Sequence, residues 1–380
     1  MNEKFDWYQI KYLESTQNLT DLIRERSQIT ISSSVALDIT VNLQQGRAFF
    51  EQSEEAALEI KPLLLFYGML AFARAVIISR RNVAHDSLVP KHGLSDPTTL
   101  NNSLASLEVK VQLNGTFPEL IDSTRELEKV IVYHRDKFTE TRLPHPPDYS
   151  SALNGKTLTL KEILARISGL GNLYVETFGD VPKVIQCGFF ELDNDCKTTR
   201  LSVVDHSNAS DRASIQRKIT TLRTRFPFLN QWAIMEAMKN GRVTFCTWPR
   251  NELTEFSADS LNEDSLYLFW HQPEPIQYDC LTDPRPRTPP IYGNLLDSNP
   301  IIIEPVHGAH VSEFSLYYAG MYLLSSLVRY RPTIWANAIA RRPLGSLPPD
   351  DKPLAVIEHF LQLASQRFPR MTVNAIREPD

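Results

Sequence analysis

Cysteine is scarce in this chain: Cys187, Cys196, Cys246 and Cys280 are the four in 380 residues, and no two form a C-x-x-C pair. Such spacing excludes a zinc ribbon or a disulfide framework and fits the reduced thiols of a cytosolic protein. A surplus of one charge is also missing, with 40 Lys and Arg against 45 Asp and Glu and a net charge of −5. A nucleic-acid binder working by bulk attraction carries a basic excess, so any RNA contact here has to come from a local patch. The opening residues MNEKFDWYQI hold acidic groups and no apolar stretch, so no secretory leader is expected. The patterns GxGxxG after a strand, GxxxxGK[ST], GxSxG and HExxH are lacking, which disfavours dinucleotide, P-loop and serine-hydrolase chemistry. The composition thus reads as cytoplasmic, with no cofactor.

What the chain does have is a long apolar run inside Ile60–Ser95, IKPLLLFYGMLAFARAVIISRRNVAHDSLVPKHGLS. From Leu63 to Ile78 only Gly68 and Arg74 interrupt it, and Pro62 suits the first turn of a helix, where its missing N–H costs nothing. A helix apolar on nearly every side, judged too short and too charged to span a bilayer, belongs in the middle of a large core. Glu313–Tyr330 is a second such helix, and the two are expected to pack on one another.

Around them, residues 5–25 read as a helix pair, 46–58 as an amphipathic helix, 124–134 as helical, and LPHPPD at 143–148 as a break. LEVKVQL reads as a strand, as do VIQCGFF, TRLSVVD, GRVTFCTW, SLYLFW and IIIEP, all rich in β-branched and aromatic residues. Ser214–Lys239 reads as a helix capped by Gly241, 282–290 as an extended proline-rich loop, and Leu354–Arg367 as a last amphipathic helix. Strands do not alternate one-for-one with helices, which argues against a doubly wound sheet. The expected fold is a predominantly helical α+β one. N- and C-terminal helical blocks, 1–150 and 301–380, pack together with a small, mostly antiparallel sheet inserted over 151–300.

Candidate chemistry concentrates at helix ends. Arg80-Arg81-Asn82-Val83-Ala84-His85 fits R-x4-H and is similar to the site of HEPN-type ribonucleases, which cleave RNA without metal. There histidine exchanges a proton with the ribose 2′-OH and arginine steadies the phosphorane. The same residues equally suit a helix C-terminus, where cations meet the negative end of the dipole. Arg74, alone in an apolar helix, needs either an acidic partner or an anionic ligand. His92 beside Gly93 is a ligand contact or a turn residue. Arg329 and Arg331, before Pro332 and Trp335, join Arg80 and His85 in one basic pocket if the two apolar helices are parallel, and lie far from them if antiparallel. Glu304, His307, His310 and Glu313 are metal-ligand types at three-residue spacing, but Pro305 and Gly308 break the helix that would converge them, so no metal is expected.

Residues 60–95 resemble the signature of the YaaC-like family, a KPLLLFYGM helix followed by HG. Leu160–Tyr174, LKEILARISGLGNLY, and Ala319–Trp335, AGMYLLSSLVRYRPTIW, resemble its mid-chain and C-terminal helices, so the likeness runs over roughly residues 30–340. The resemblance implies a bacterial cytosolic protein and a fold, and carries no biochemical activity. Two functional readings follow. One is an intracellular regulatory or interaction protein that binds a partner protein or a small anionic ligand. The alternative is a HEPN-like endoribonuclease acting in toxin or phage defence.

Overall fold

A computed structural model describes residues 5–98, 104–124, 129–134, 137–142, 150–192, 199–204, 212–226, 229–230, 233–238, 242–247, 265–268, 291–292, 301–309, 311–340 and 352–378. Among these the helices are, in chain order, α1 (Tyr8–Leu13), α2 (Thr16–Ser27), α3 (Ser33–Glu54), α4 (Lys61–Arg81), α5 (Thr116–Thr124), α6 (Leu160–Leu164), α7 (Gly171–Phe178), α8 (Arg212–Arg225), α9 (Glu313–Tyr330), α10 (Pro332–Ile339) and α11 (Leu354–Arg377). The strands are β1 (Leu94–Ser95), β2 (Glu108–Val111), β3 (Lys129–His134), β4 (Lys137–Arg142), β5 (Thr157–Thr159), β6 (Val184–Leu192), β7 (Thr199–Val204), β8 (Ala233–Met238), β9 (Arg242–Thr247), β10 (Ser265–Leu268), β11 (Ile291–Tyr292) and β12 (Ile301–Ile303). The fold is predominantly helical α+β.

The chain divides into two compact units. The first comprises Met1–Leu127, Pro147–Pro182 and Pro305–Asp380, and the second Glu128–Pro146 and Lys183–Glu304. In the first unit the N- and C-terminal helical blocks do pack together. Helix α4 is its axis, in contact with α3, α5, α9 and α11. Pro62 opens α4, and Asn82, left-handed at φ 50°, closes it. The helix is longer than the apolar run, and by length and composition it could cross a membrane; 78% of that window is buried inside the fold. Burial, not shortness, therefore marks it as a core helix.

Helices α3 and α4 approach one another closely. A Cβ on Gly46 would fall 2.4 Å from the Phe72 ring, and one on Gly68 2.5 Å from the Phe50 ring. Each glycine is thus the hole for the other helix's phenylalanine, and Phe50 and Phe72 stack at 5.2 Å. The three-stranded antiparallel sheet β1–β2–β5 completes the first unit. The second unit holds a nine-stranded sheet in the order β10-β8-β9-β7-β6-β12-β11, with β3 joining β6 and β4 joining β3. Every ladder is antiparallel except a single β3–β6 bridge, Val132 to Phe190.

Several local expectations need correction. The helix expected over 124–134 is instead the end of α5 at Thr124 and then strand β3, paired residue for residue with β4. Ser214–Lys239 is not one helix. Helix α8 stops at Arg225, and AIMEAM at 233–238 is a strand between β9 and β10 despite helix-favouring residues; pairing overrides propensity in a central strand. Leu160–Tyr174 is not one helix: α6 stops at Leu164, Gly169 turns left-handed at φ 92°, and α7 starts at Gly171. Helix α3 starts at Ser33, capped by Ser32, well before 46. Helix α11 continues through Pro369 to Arg377. LPHPPD at 143–148, Gly241 and the loop 282–290 lie outside the described residues.

Candidate functional site

Residues seven apart on a helix lie on nearly the same face. On α4 this puts Tyr67, Arg74 and Arg81 on one partly exposed stripe of an otherwise buried helix. On α9 it puts Tyr322 and Arg329 together, with Tyr318 one turn earlier. The helices run antiparallel: Tyr318 and Tyr322 both contact Phe66, and Arg329 reaches Phe66 and Tyr67. Arg329 and Arg331 therefore sit at the N-terminal half of α4, away from Arg80 and His85 at its other end.

The loop that follows α4 folds back to this same face. Lys91, His92 and Gly93 are clamped through their carbonyls, which accept from the N–H groups of Thr116, Phe117 and Gln112 at 3.0, 2.9 and 2.9 Å. Gly93 has a φ of 76°, and a Cβ there would meet Pro118 at 2.4 Å, so the residue after His92 has to be glycine. The clamp lays the imidazole edge-on to Phe66 at 5.2 Å and against Tyr322 at 5.8 Å.

Three of the four expected ligand residues are thereby brought together. Arg74 lies close enough to perturb both His92 and Tyr318, and Arg329 close enough to perturb His92 and Tyr322. Among the described residues Arg74 has neither an ion pair nor a hydrogen bond. Arg329 donates weakly to Ser325, to its carbonyl at 3.3 Å and its hydroxyl at 3.4 Å, and lies over the Tyr330, Phe66 and Tyr67 rings at 4.9, 5.6 and 5.9 Å. It too has no carboxylate partner among the described residues. Arg331 is different. It is tied to the Thr98 carbonyl and, at 3.5 Å, to Asp96, which also accepts from Ser326. It serves as a clip between α9 and the β1 region.

Two polar atoms in this cluster are buried without a hydrogen-bond partner, His92 Nδ1 and the Tyr318 hydroxyl. Thr116 lies beside Tyr318; its hydroxyl donates to the Lys91 carbonyl, and its oxygen keeps lone pairs for the phenol. Burial first, then Arg329 and Arg74, push the His92 pKa down, so the imidazole is held neutral. Burial pushes the Tyr318 and Tyr322 hydroxyls up, so both stay protonated. Two fixed cations, a phenol donor and an imidazole, set among aromatic walls, are groups whose chemistry suits an acceptor-only group, an oxyanion. The aromatic members were not singled out by sequence, although Tyr67–Arg74 and Tyr322–Arg329 both carry the seven-residue spacing.

The ribonuclease-like residues diverge. Arg80 donates to the Glu378 carbonyl at 2.7 Å, and Arg81 pairs with Glu119 on α5 at 3.1 Å. Asn82 is the left-handed cap. His85 is held on α3, its N–H donating to Asp38 and its ring lying 3.4 Å from Asn42. A cleft of about 460 Å³ does lie beside Arg81, lined also by Val89, Leu113, Glu119, Asp122 and Ser123. Its one arginine is paired with Glu119, and Asp122 accepts from the Ser150 hydroxyl, so no cation is left for a phosphate there. His85→Ala is expected to cost only about 0.5–1.5 kcal/mol, the net worth of its hydrogen bond, by denaturant unfolding. The same purified variant and its parent are expected to leave single-stranded RNA intact in EDTA. Cleavage that disappears in His85→Ala at an unchanged melting temperature would show a nuclease.

The metal-type residues also disperse. Glu304 pairs with Lys183 at 3.0 Å, His307 Nε2 lies 2.7 Å from the Thr157 carbonyl, and Glu313 is buried against Arg367. His310 lies outside the described residues. No group of three or more His, Cys, Asp or Glu able to hold a metal occurs among the described residues.

No curated protein and no solved structure matches this chain. A family model does, over residues 6–376, and the chain belongs to that family, described as YaaC-like protein.

Proposed function

We propose that this protein binds a small anionic ligand at Arg74, His92 and Arg329 and acts inside the cell as a non-catalytic regulatory protein. The observation that carries the reading is the pair of guanidiniums, Arg74 and Arg329, converging on one imidazole with no carboxylate to neutralise them among the described residues. Keeping two half-buried cations without a carboxylate costs stability, so a fold that keeps them gains something other than stability. The nearest carboxylate, Asp96, is committed to Arg331, Ser326 and Thr98. The scattered cysteines fit a reducing compartment.

The test separates binding from stability. Sulfate titrated into the purified protein by calorimetry, against chloride at matched ionic strength, is expected to bind the parent. Arg74→Met and Arg329→Met are each expected to lose that heat while melting no lower than the parent, because a cation is removed from beside another cation. Equal sulfate binding by all three proteins would sink the proposal. A large stability loss in Arg74→Met would mean that the side chain has a structural partner instead.

A further inference from the structure

Resting on the anion-site reading above, we infer that the ligand presents a dianionic tetrahedral oxyanion, as a phosphate monoester does, and that its binding draws a proton on to His92. The charge count selects the dianion. Arg74 and Arg329 supply two fixed positive charges, while Arg331 is balanced by Asp96 and adds none. A carboxylate would leave one half-buried guanidinium unmatched; a dianion matches both. The donor count agrees. A tetrahedral group offers several acceptor oxygens, and besides the guanidiniums the cluster holds two buried polar atoms in need of a partner, Tyr318 Oη and His92 Nδ1.

The proton follows from what faces His92. From α4 it is Arg74 with the Phe66 ring; from α9 it is Arg329 with Tyr322, and Tyr318 next to Arg74. From α5 the backbone N–H of Phe117 holds the His92 carbonyl. Asp96 lies beyond Tyr322 and is engaged by Arg331. In the free protein two cations and burial oppose the imidazolium. A dianion seated between the guanidiniums cancels the first of these and adds attraction of its own. The imidazolium becomes favourable, and both ring nitrogens can then donate. By linkage, an anion that raises proton affinity is itself bound more tightly as pH falls.

Sulfate is the probe because it stays dianionic throughout the range, so any pH dependence belongs to the protein. Calorimetry of the full chain at about pH 8 and about pH 6, with fixed ionic strength, is expected to show sulfate binding at least threefold tighter at the lower pH. Buffers of different ionisation enthalpy are expected to report net proton uptake. Acetate at the same ionic strength is expected to bind roughly tenfold more weakly than sulfate. His92→Gln is expected to weaken sulfate binding more at about pH 6 than at about pH 8 and so flatten its pH profile, while Tyr318→Phe weakens binding equally at both and leaves the slope in place. Sulfate binding that Arg74→Met abolishes, yet that is flat with pH or no better than acetate binding, overturns this inference and leaves the anion site standing. Absence of sulfate binding at both pH values overturns both.

Discussion

Replacing Leu65 with aspartate is expected to abolish soluble accumulation of the protein. Leu65 is fully buried near the start of α4, the helix on which α3, α5, α9 and α11 all pack. An unpaired carboxylate there has no solvent to retain. It must be desolvated or protonated, at a cost of several kcal/mol, against a total stability of about 5–15 kcal/mol. Leu65→Ala isolates the packing part and is expected to lose about 2–5 kcal/mol while still folding. The soluble fraction and the denaturant midpoint measure both. A soluble Leu65→Asp protein with the parental midpoint would show that α4 is peripheral.

That the helix can be singled out from sequence follows from its composition. A helix buried on nearly every face leaves only a narrow polar stripe, and α9 is legible for the same reason, its Glu313–Tyr330 limits standing in the residues. Amphipathic α3 is only half legible, because Gly46 resembles a terminus while in fact it is the groove that receives Phe72. The AIMEAM strand is not legible at all, since what fixes it is hydrogen bonding to β9, which follows it directly, and to β10 at Ser265–Leu268, and not its own side chains. The candidate site divides in the same way. Arg74, Arg329 and His92 stand out singly as polar residues in apolar company. Their convergence depends on α4 and α9 being antiparallel and on Gly93 turning the loop back, and only the folded chain decides either. Arg80, Arg81 and His85, adjacent in sequence, are drawn apart to α11, α5 and α3.

The mid-chain segment that breaks at Gly169 leads to the last expected result. Ser168 there donates its N–H and hydroxyl to Glu313 at 2.9–3.0 Å, Tyr317 donates at 3.3 Å, and Arg367 from α11 pairs with the same carboxylate at 3.0 Å. Arg367 also donates to the Ser168 carbonyl at 2.7 Å. Three segments, the turn between α6 and α7, α9 and α11, are thereby joined by one buried carboxylate. Arg367→Met should cost about 3–5 kcal/mol, because it leaves that charge buried without its cation. The pH dependence follows from Glu313. Burial pushes its pKa up, opposed by Arg367 and by the hydrogen bonds from Ser168 and Tyr317. A carboxyl raised in the folded state binds more protons there than in the unfolded chain, so its contribution favours folding at low pH and fades as pH rises through the folded value. Removing Arg367 raises the carboxyl further. The penalty of Arg367→Met should therefore be smallest near the ordinary Glu range, about pH 4.3, and grow toward neutrality. Adding Glu313→Gln should recover much of the loss and remove the slope. Denaturant unfolding of the three variants across that range measures it. A penalty that is flat with pH, or a double variant weaker than Arg367→Met alone, would mean that Arg367 acts through Ser168 rather than through the carboxylate.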